Sequence, residues 1–201
     1  MRAQSAVLRP VETYTDAASS RTHSLIAGIS FLVFAGTIAF GFVPVTREIE
    51  TTGYSTADLQ EATTRAEVDT ILQALEPVMD AVVLLSILDY VFIVAGFFLF
   101  FSLHSLAMKR LSVHGRLVLV PKIGMVLTVF SRLLDSLENL WVILLYTNPD
   151  TYPTVFITLM NSSQYLKWLV VRVEYTTLGL AIVLVLFVRF TSLLESNPRQ
   201  R

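Results

Sequence analysis

Apolar residues in this chain gather into four long runs separated by polar segments, rather than recurring at the spacing of a surface helix. A helix crosses the hydrocarbon core of a bilayer with about 20 mostly apolar residues. The first run, 24–43, holds no ionisable residue and ends at Pro44. The second, 81–106, has one charge, Asp89. The third, 117–146, is interrupted by Pro121, Lys122, Arg132, Asp135 and Glu138. The fourth lies within 155–191, is densest from Leu178 to Phe190, and carries Lys167, Arg172 and Glu174 in its first half. Spans are therefore expected at about 24–44, 80–106, 117–146 and 157–191 of a single membrane domain, 1–201. The first run is longer than a signal-peptide core, and no small-residue cleavage site follows it, so it is expected to stay in place.

Between the first two runs lies the only sizeable polar segment, 45–79. Its start, from Thr46 to Ser55, has the Gly and Thr content of a turn. Ser55-x-x-Asp58 and Thr64-x-x-Glu67 both fit the capping box, in which two side chains satisfy the free amides of a helix start. After the second box Val68, Ile71, Leu72 and Leu75 recur at helical spacing, predicting a short amphipathic helix over Arg65–Leu75 that lies on the bundle or the membrane surface. The other connections are short, which makes successive spans antiparallel neighbours. The expected fold is all-α, an integral membrane up-down four-helix bundle with a short amphipathic outer helix between spans one and two. In the first span Gly28, Ser30 and Gly41 are the small residues expected to allow close helix contact.

Basic residues flanking spans collect on the cytoplasmic side. Arg2, Arg9 and Arg21 precede span one, Lys109, Arg110 and Arg116 lie between spans two and three, and Arg189, Arg199 and Arg201 close the chain. The segment between spans one and two has only Arg47 and Arg65 against eight acids from Glu48 through Asp80, and the turn between spans three and four has no basic residue. All five segments agree on both termini in the cytoplasm of a plasma or inner membrane.

Composition narrows the chemistry. Of 201 residues 54% are apolar and 15% charged, a balance that excludes disorder and an ordinary soluble domain. With no cysteine there is no disulfide framework or thiolate site, and a net charge of −1 offers no footprint for nucleic acid. His23, His104 and His114 have no second ligand at i+3 or i+4, so they are expected to be side chains at the membrane interface, and no metal site or cofactor is expected.

What remains is the set of charges inside the spans. An ionisable side chain at mid-membrane costs at least about 2.5–3.5 kcal/mol, so such residues face the protein interior and pair. With a rise of about 1.5 Å per residue, Asp89 and Glu138 lie roughly 12–13 Å from the outer end of their helix and Asp135 about 16 Å, and Lys167 is about 12 Å down if span four enters near Leu159. Three helices thus place opposite charges at one level. Arg132, Asp135 and Asn139 share a stripe of span three, and Gln164, Lys167, Val171 and Glu174 one of span four, with Arg172 pointing away. The candidate site is a buried centre of Asp89, Asp135, Glu138, Asn139 and Lys167 with Arg132 one turn deeper. Polar glue between membrane helices contributes only about 0.6 kcal/mol on average, a poor return for this many charges, which favours a pocket over a network that merely fixes register.

The segments LDYVFI (88–93), LLDSLENLWVILL (133–145) and YLKWLVV (165–171) resemble a group of small four-span bacterial membrane proteins. The likeness extends over roughly 55–190. In that group an Asp-x-x-Phe in span two, an Asp-x-x-Glu-Asn in span three and a Lys in span four recur in this order. The resemblance implies four spans and singles out Asp89, Asp135, Glu138, Asn139 and Lys167, without implying a reaction. Arg132, Arg172 and Glu174 are not in its pattern.

Four functions stay open on the sequence. The first is a binding protein whose outer-half pocket receives a small polar molecule or lipid head group, Lys167 meeting an anion and Asp135 and Glu138 accepting hydrogen bonds or holding a cation. The second is a structural or accessory subunit partnered by the bilayer alone. An intramembrane enzyme with a carboxylate base comes third, although no nucleophile–base pair and no HExxH is present. A proton- or ion-coupled carrier comes last, because four spans without a repeat would need a homodimer.

Overall fold

A computed structural model describes residues 2–195, with side chains from 9 to 194. Among them there is no strand. Four helical segments, Ser20–Glu50, Arg65–Leu111, Gly115–Thr147 and Val155–Leu194, are each long and apolar enough to cross a membrane. Their apolar side chains stay largely uncovered by protein: Leu32, Phe40, Phe187 and Phe190 are all more than half exposed. A soluble bundle would bury such residues, whereas lipid solvates them. The chain is a polytopic integral membrane protein.

The elements run α1 (Arg2–Ala17), α2 (Ser20–Gly36), a π-helical stretch (Thr37–Phe42), α3 (Val43–Glu50), α4 (Thr56–Glu61), α5 (Arg65–Leu75), α6 (Met79–Leu111), α7 (Leu119–Thr147) and α8 (Val155–Glu195). Span one comprises α2, the π stretch and α3. The first run was expected to stop at Pro44, with a turn after it; instead the helix continues to Glu50. Proline removes one N–H and its ring collides with the carbonyl four residues back. A widened turn precedes the proline, where the Val43 N–H bonds the Ile38 carbonyl five residues back, and it gives the ring room without ending the helix. The true turn comes at 51–54, with Gly53 at φ 84°.

Two capping boxes start the helices that follow. Ser55 accepts from the Asp58 N–H and Thr64 from the Glu67 N–H, each acid reaching back to the cap's own N–H. The predicted helix Arg65–Leu75 is present, and Val68, Ile71, Leu72 and Leu75 are its buried face. They join Val45 and Ile49 of α3, Leu59 of α4, Val82 of α6, Leu145 of α7 and Met160 of α8 in one core. This cap closes one end of the bundle. Tyr152, in the turn before α8, is 1% exposed, and its hydroxyl donates to Asp69 at 2.6 Å.

At the other end lies α1, which the sequence pattern did not announce. Its apolar stripe is short, with Val11 and Thr15 buried, and it needs a surface to lie on. The ends of α6 and α7 provide it: Tyr14 meets Phe101 edge-on at 4.8 Å, Thr15 Oγ1 reaches Ser105 Oγ at 3.5 Å, and Glu12 pairs with Lys122. The histidines correct another expectation. His114 is exposed, but His23 and His104 are fully buried, His104 lying so close to α7 that a Cβ on Gly124 would strike its ring. Gly28 likewise faces open space, and the close approach of span one occurs at Gly41, against Leu88. Of the basic residues used for orientation, Arg199, Arg201 and the Arg2 side chain lie outside the described residues.

Successive spans are neighbours, as short connections require, with α6 central: span one packs on it from one side and α7 and α8 from the other. Span one and α8 do not close tightly on each other. That gap shapes the site.

Candidate functional site

The charged stripe of α7 faces α6 and α8 because its other faces are apolar. Arg132, Asp135, Glu138 and Asn139 are all buried, while Phe130, Leu133 and Leu140 are exposed to the membrane side. From α8 comes Lys167. Its ammonium lies 3.1 Å from Asp135 Oδ1 and 2.5 Å from Glu138 Oε2. The second contact is a buried ion pair, Glu138 being 1% exposed. Asp135 also faces Arg132, with 3.7 Å between its Oδ2 and Nη1.

One turn deeper stands a residue the sequence left without a role. Glu174 of α8 is fully buried and accepts from Thr128 Oγ1 at 2.9 Å and Ser131 Oγ at 2.6 Å. Its Oε2 lies 3.7 Å from Arg132 Nη2, so the guanidinium bridges Asp135 above to Glu174 below. Arg132 also stacks over Phe100 at 5.3 Å. Gly96 of α6 makes room for it, because a Cβ there would lie 3.3 Å from the Arg132 Cζ. A sequence signal existed: Glu174 sits on the Lys167 stripe, and a lone buried acid needs a cation one helix away. Arg172 is exposed, as its position off the stripe suggested.

Asp89 stands apart. Its carboxylate receives the Asn139 amide N–H, and among the described residues no cation lies within ion-pair distance. Lys167, expected to pair with a carboxylate at its level and to meet an anion in the binding reading, is held by two carboxylates.

These groups border a cavity of about 320 Å³. Its charged and polar side is Ser86, Asp89, Arg132, Asp135, Asn139 and Lys167. Phe42 of the π stretch and Thr46, just beyond Pro44, line it from span one, with Phe92 of α6 and Trp168 and Tyr175 of α8. Thr56 and Gln60 of α4 cover the side nearest the cap. Phe92 is fixed by stacking on Phe34 at 4.1 Å, and Tyr175 by leaning on Phe100 at 5.2 Å. Glu138 and Glu174 do not line the space. The structure therefore brings five of the six candidate residues to one cavity and places Glu138 behind Lys167.

No group of three or more His, Cys, Asp or Glu able to hold a metal ion occurs among the described residues. No protein-family model, curated protein or solved structure matches the chain.

Proposed function

We propose that this is a membrane-embedded binding protein, and that the space between span one, α6, α7 and α8 receives a small polar molecule or a lipid head group. One observation carries the reading: the charge network borders a cavity of about 320 Å³. A network that served only to lock helices would gain most from being closed over, since every void beside it forfeits packing. A volume at the lower end of the ordinary small-molecule range, about 300–1,000 Å³, with a few convergent polar groups among apolar walls, is what a binding site needs. The cap end lies outside and both termini lie in the cytoplasm, in line with the bias of Lys and Arg. In that orientation the cavity sits in the outer half of the bundle.

The accessory-subunit reading draws on a different fact, that Lys167 and Arg132 are already paired by charge with Asp135, Glu138 and Glu174. The two readings separate on occupancy. Protein released gently from membranes and weighed intact should carry a bound small molecule or lipid, and Ser86→Leu, which fills the cavity from α6, should lose it while staying folded. Wild-type and Ser86→Leu proteins that both carry nothing would leave the accessory reading standing.

A further inference from the structure

The reading of the cavity as a binding site says nothing yet of the charge its occupant bears, and the inference that follows rests on that reading. We propose that the ligand is an organic ammonium, primary or alkylated, held against Asp89 between aromatic walls and admitted from the bilayer between span one and α8.

Charge is the first argument. The buried charges in and behind the cavity wall are four carboxylates, Asp89, Asp135, Glu138 and Glu174, and two cations, Arg132 and Lys167. Both cations are committed, each touching two of the other three acids. The formal deficit of positive charge therefore falls on Asp89, the carboxylate that lines the cavity with only a neutral amide for a partner. An anionic ligand would add to the deficit; a cation of modest size would relieve it.

Shape and wall chemistry give the second argument. Phe42, Phe92, Trp168 and Tyr175 line the same space as Asp89; the Lys167 ammonium already lies 5.5 Å from the Trp168 ring centre, which leaves Phe42, Phe92 and Tyr175 as the faces without a cation over them. Aromatic faces beside one carboxylate are how alkylated and primary ammonium groups are recognised, through the ring quadrupole together with the counter-charge.

Access is the third. Trp168 and Tyr175 are 52% and 47% exposed, although both lie well within a helix long enough to cross the membrane. Trp168 is thirteen residues into α8, about 20 Å from its start at a rise of about 1.5 Å per residue. The rim of the cavity on that side therefore faces acyl chains, while α4 covers the cap side. An ammonium borne on a lipid or other amphiphile reaches Asp89 by this route without crossing water.

The full-length protein in phosphatidylglycerol nanodiscs, with Trp141→Phe so that Trp168 is the sole indole, provides the test. Tetramethylammonium and ethylammonium should each change Trp168 emission saturably, and acetate and phosphate should not. Asp89→Asn should weaken the ammonium response at least tenfold, and Asp89→Glu should retain it. Folding of the Asn variant is expected, since it removes one negative charge from an over-negative network and keeps an acceptor for Asn139. Tyr175→Leu, at the half-exposed rim, gives an independent arm and should weaken tetramethylammonium. Nanodiscs with phosphatidylethanolamine identify the source: a weakened response to free ammonium marks the lipid head group as the occupant, an unchanged one marks a free amine. Equal binding by Asp89→Asn and wild type, or a response to anions instead, overturns the proposal. If no ammonium acts, yet the wild type carries a molecule that Ser86→Leu loses, the charge class falls and the binding reading survives.

Discussion

The Lys167 ammonium sits between two carboxylates of one helix, 3.1 Å from Asp135 Oδ1 and 2.5 Å from Glu138 Oε2. Asp135 and Glu138 are three residues apart, so a single cation from α8 spans adjacent faces of α7. Removing the cation leaves Glu138 buried with no counter-charge and Asp135 with Arg132 alone. Lys167→Met should therefore destabilise by about 3–5 kcal/mol, the cost of stranding one partner of a buried pair. The double variant Lys167→Met/Glu138→Leu should lose clearly less than the two single losses combined. Thermal unfolding in detergent reads both quantities, and additive losses would mean that the ion pair contributes nothing as a unit.

Glu174 should behave differently, because it is held by hydroxyls as well as by charge. Ser131→Ala and Thr128→Val each remove one hydrogen bond to it. Interhelical hydrogen bonds in membranes average about 0.6 kcal/mol and reach about 1.7 kcal/mol. Each truncation should fall in that interval. Glu174→Leu strands Arg132 against Asp135 alone and should cost several-fold more than either hydroxyl variant. A Glu174→Leu protein as stable as wild type would show that Arg132 needs no second acid.

Much of this was legible in the sequence, for reasons that differ by element. The spans declare themselves because runs of about 20 apolar residues have no cheaper place than lipid. Helix α5 was readable to its ends because Thr64 and Glu67 mark its start and Val68, Ile71, Leu72 and Leu75 mark one face. The common level of Lys167, Asp135 and Glu138 follows from the rise per residue, and the shared stripe of each helix turns them inward. By contrast, the passage of span one through Pro44 depends on one i+5 bond, which no local pattern announces. Helix α1 is defined by the surface it lies on, at Phe101, Ser105 and Lys122, more than by its own residues. Side-chain partners were the least legible. Asp89 could have faced Lys167 at the same level, and only the rotation of α6 gives it Asn139 instead.

The cap offers a pH test outside the membrane. The Ser55 hydroxyl and then its backbone N–H, both 2.7 Å from Asp58 Oδ2, hold the Asp58 pKa below its ordinary value. A carboxylate whose folded pKa is lowered stabilises above its unfolded pKa, and that stability is lost as pH falls through the folded value. The start of helix α4 should therefore fray on acidification below the ordinary carboxylate range, and so should that of α5, where the Thr63 and Thr64 N–H groups hold the Glu67 pKa low. Amide exchange at Ser55 and Asp58 should speed up in acid, after correction for intrinsic rates. Asp58→Asn should abolish that acid dependence. Ser55→Ala removes the cap at any pH and should cost about 0.5–2 kcal/mol.

Orientation is the prediction on which the position of the cavity depends. Ser112 lies in the exposed turn between α6 and α7, beside Lys109, Arg110 and Arg116. Ala57 lies in α4 and is exposed on the cap. The chain has no native cysteine, so one introduced at either position is a unique label. Neither carries a structural hydrogen bond that the other end of the bundle depends on: Ser112 Oγ donates only to the Lys109 carbonyl, and Ala57 has no polar side chain. In sealed, right-side-out spheroplasts a membrane-impermeant maleimide should modify Ala57→Cys at once and Ser112→Cys only after lysis. The reverse pattern would invert the protein and place the cavity in the cytoplasmic half. Labelling of both from one side would require an odd number of crossings between α4 and the turn after α6 to be abandoned, and α6 would then not span the membrane.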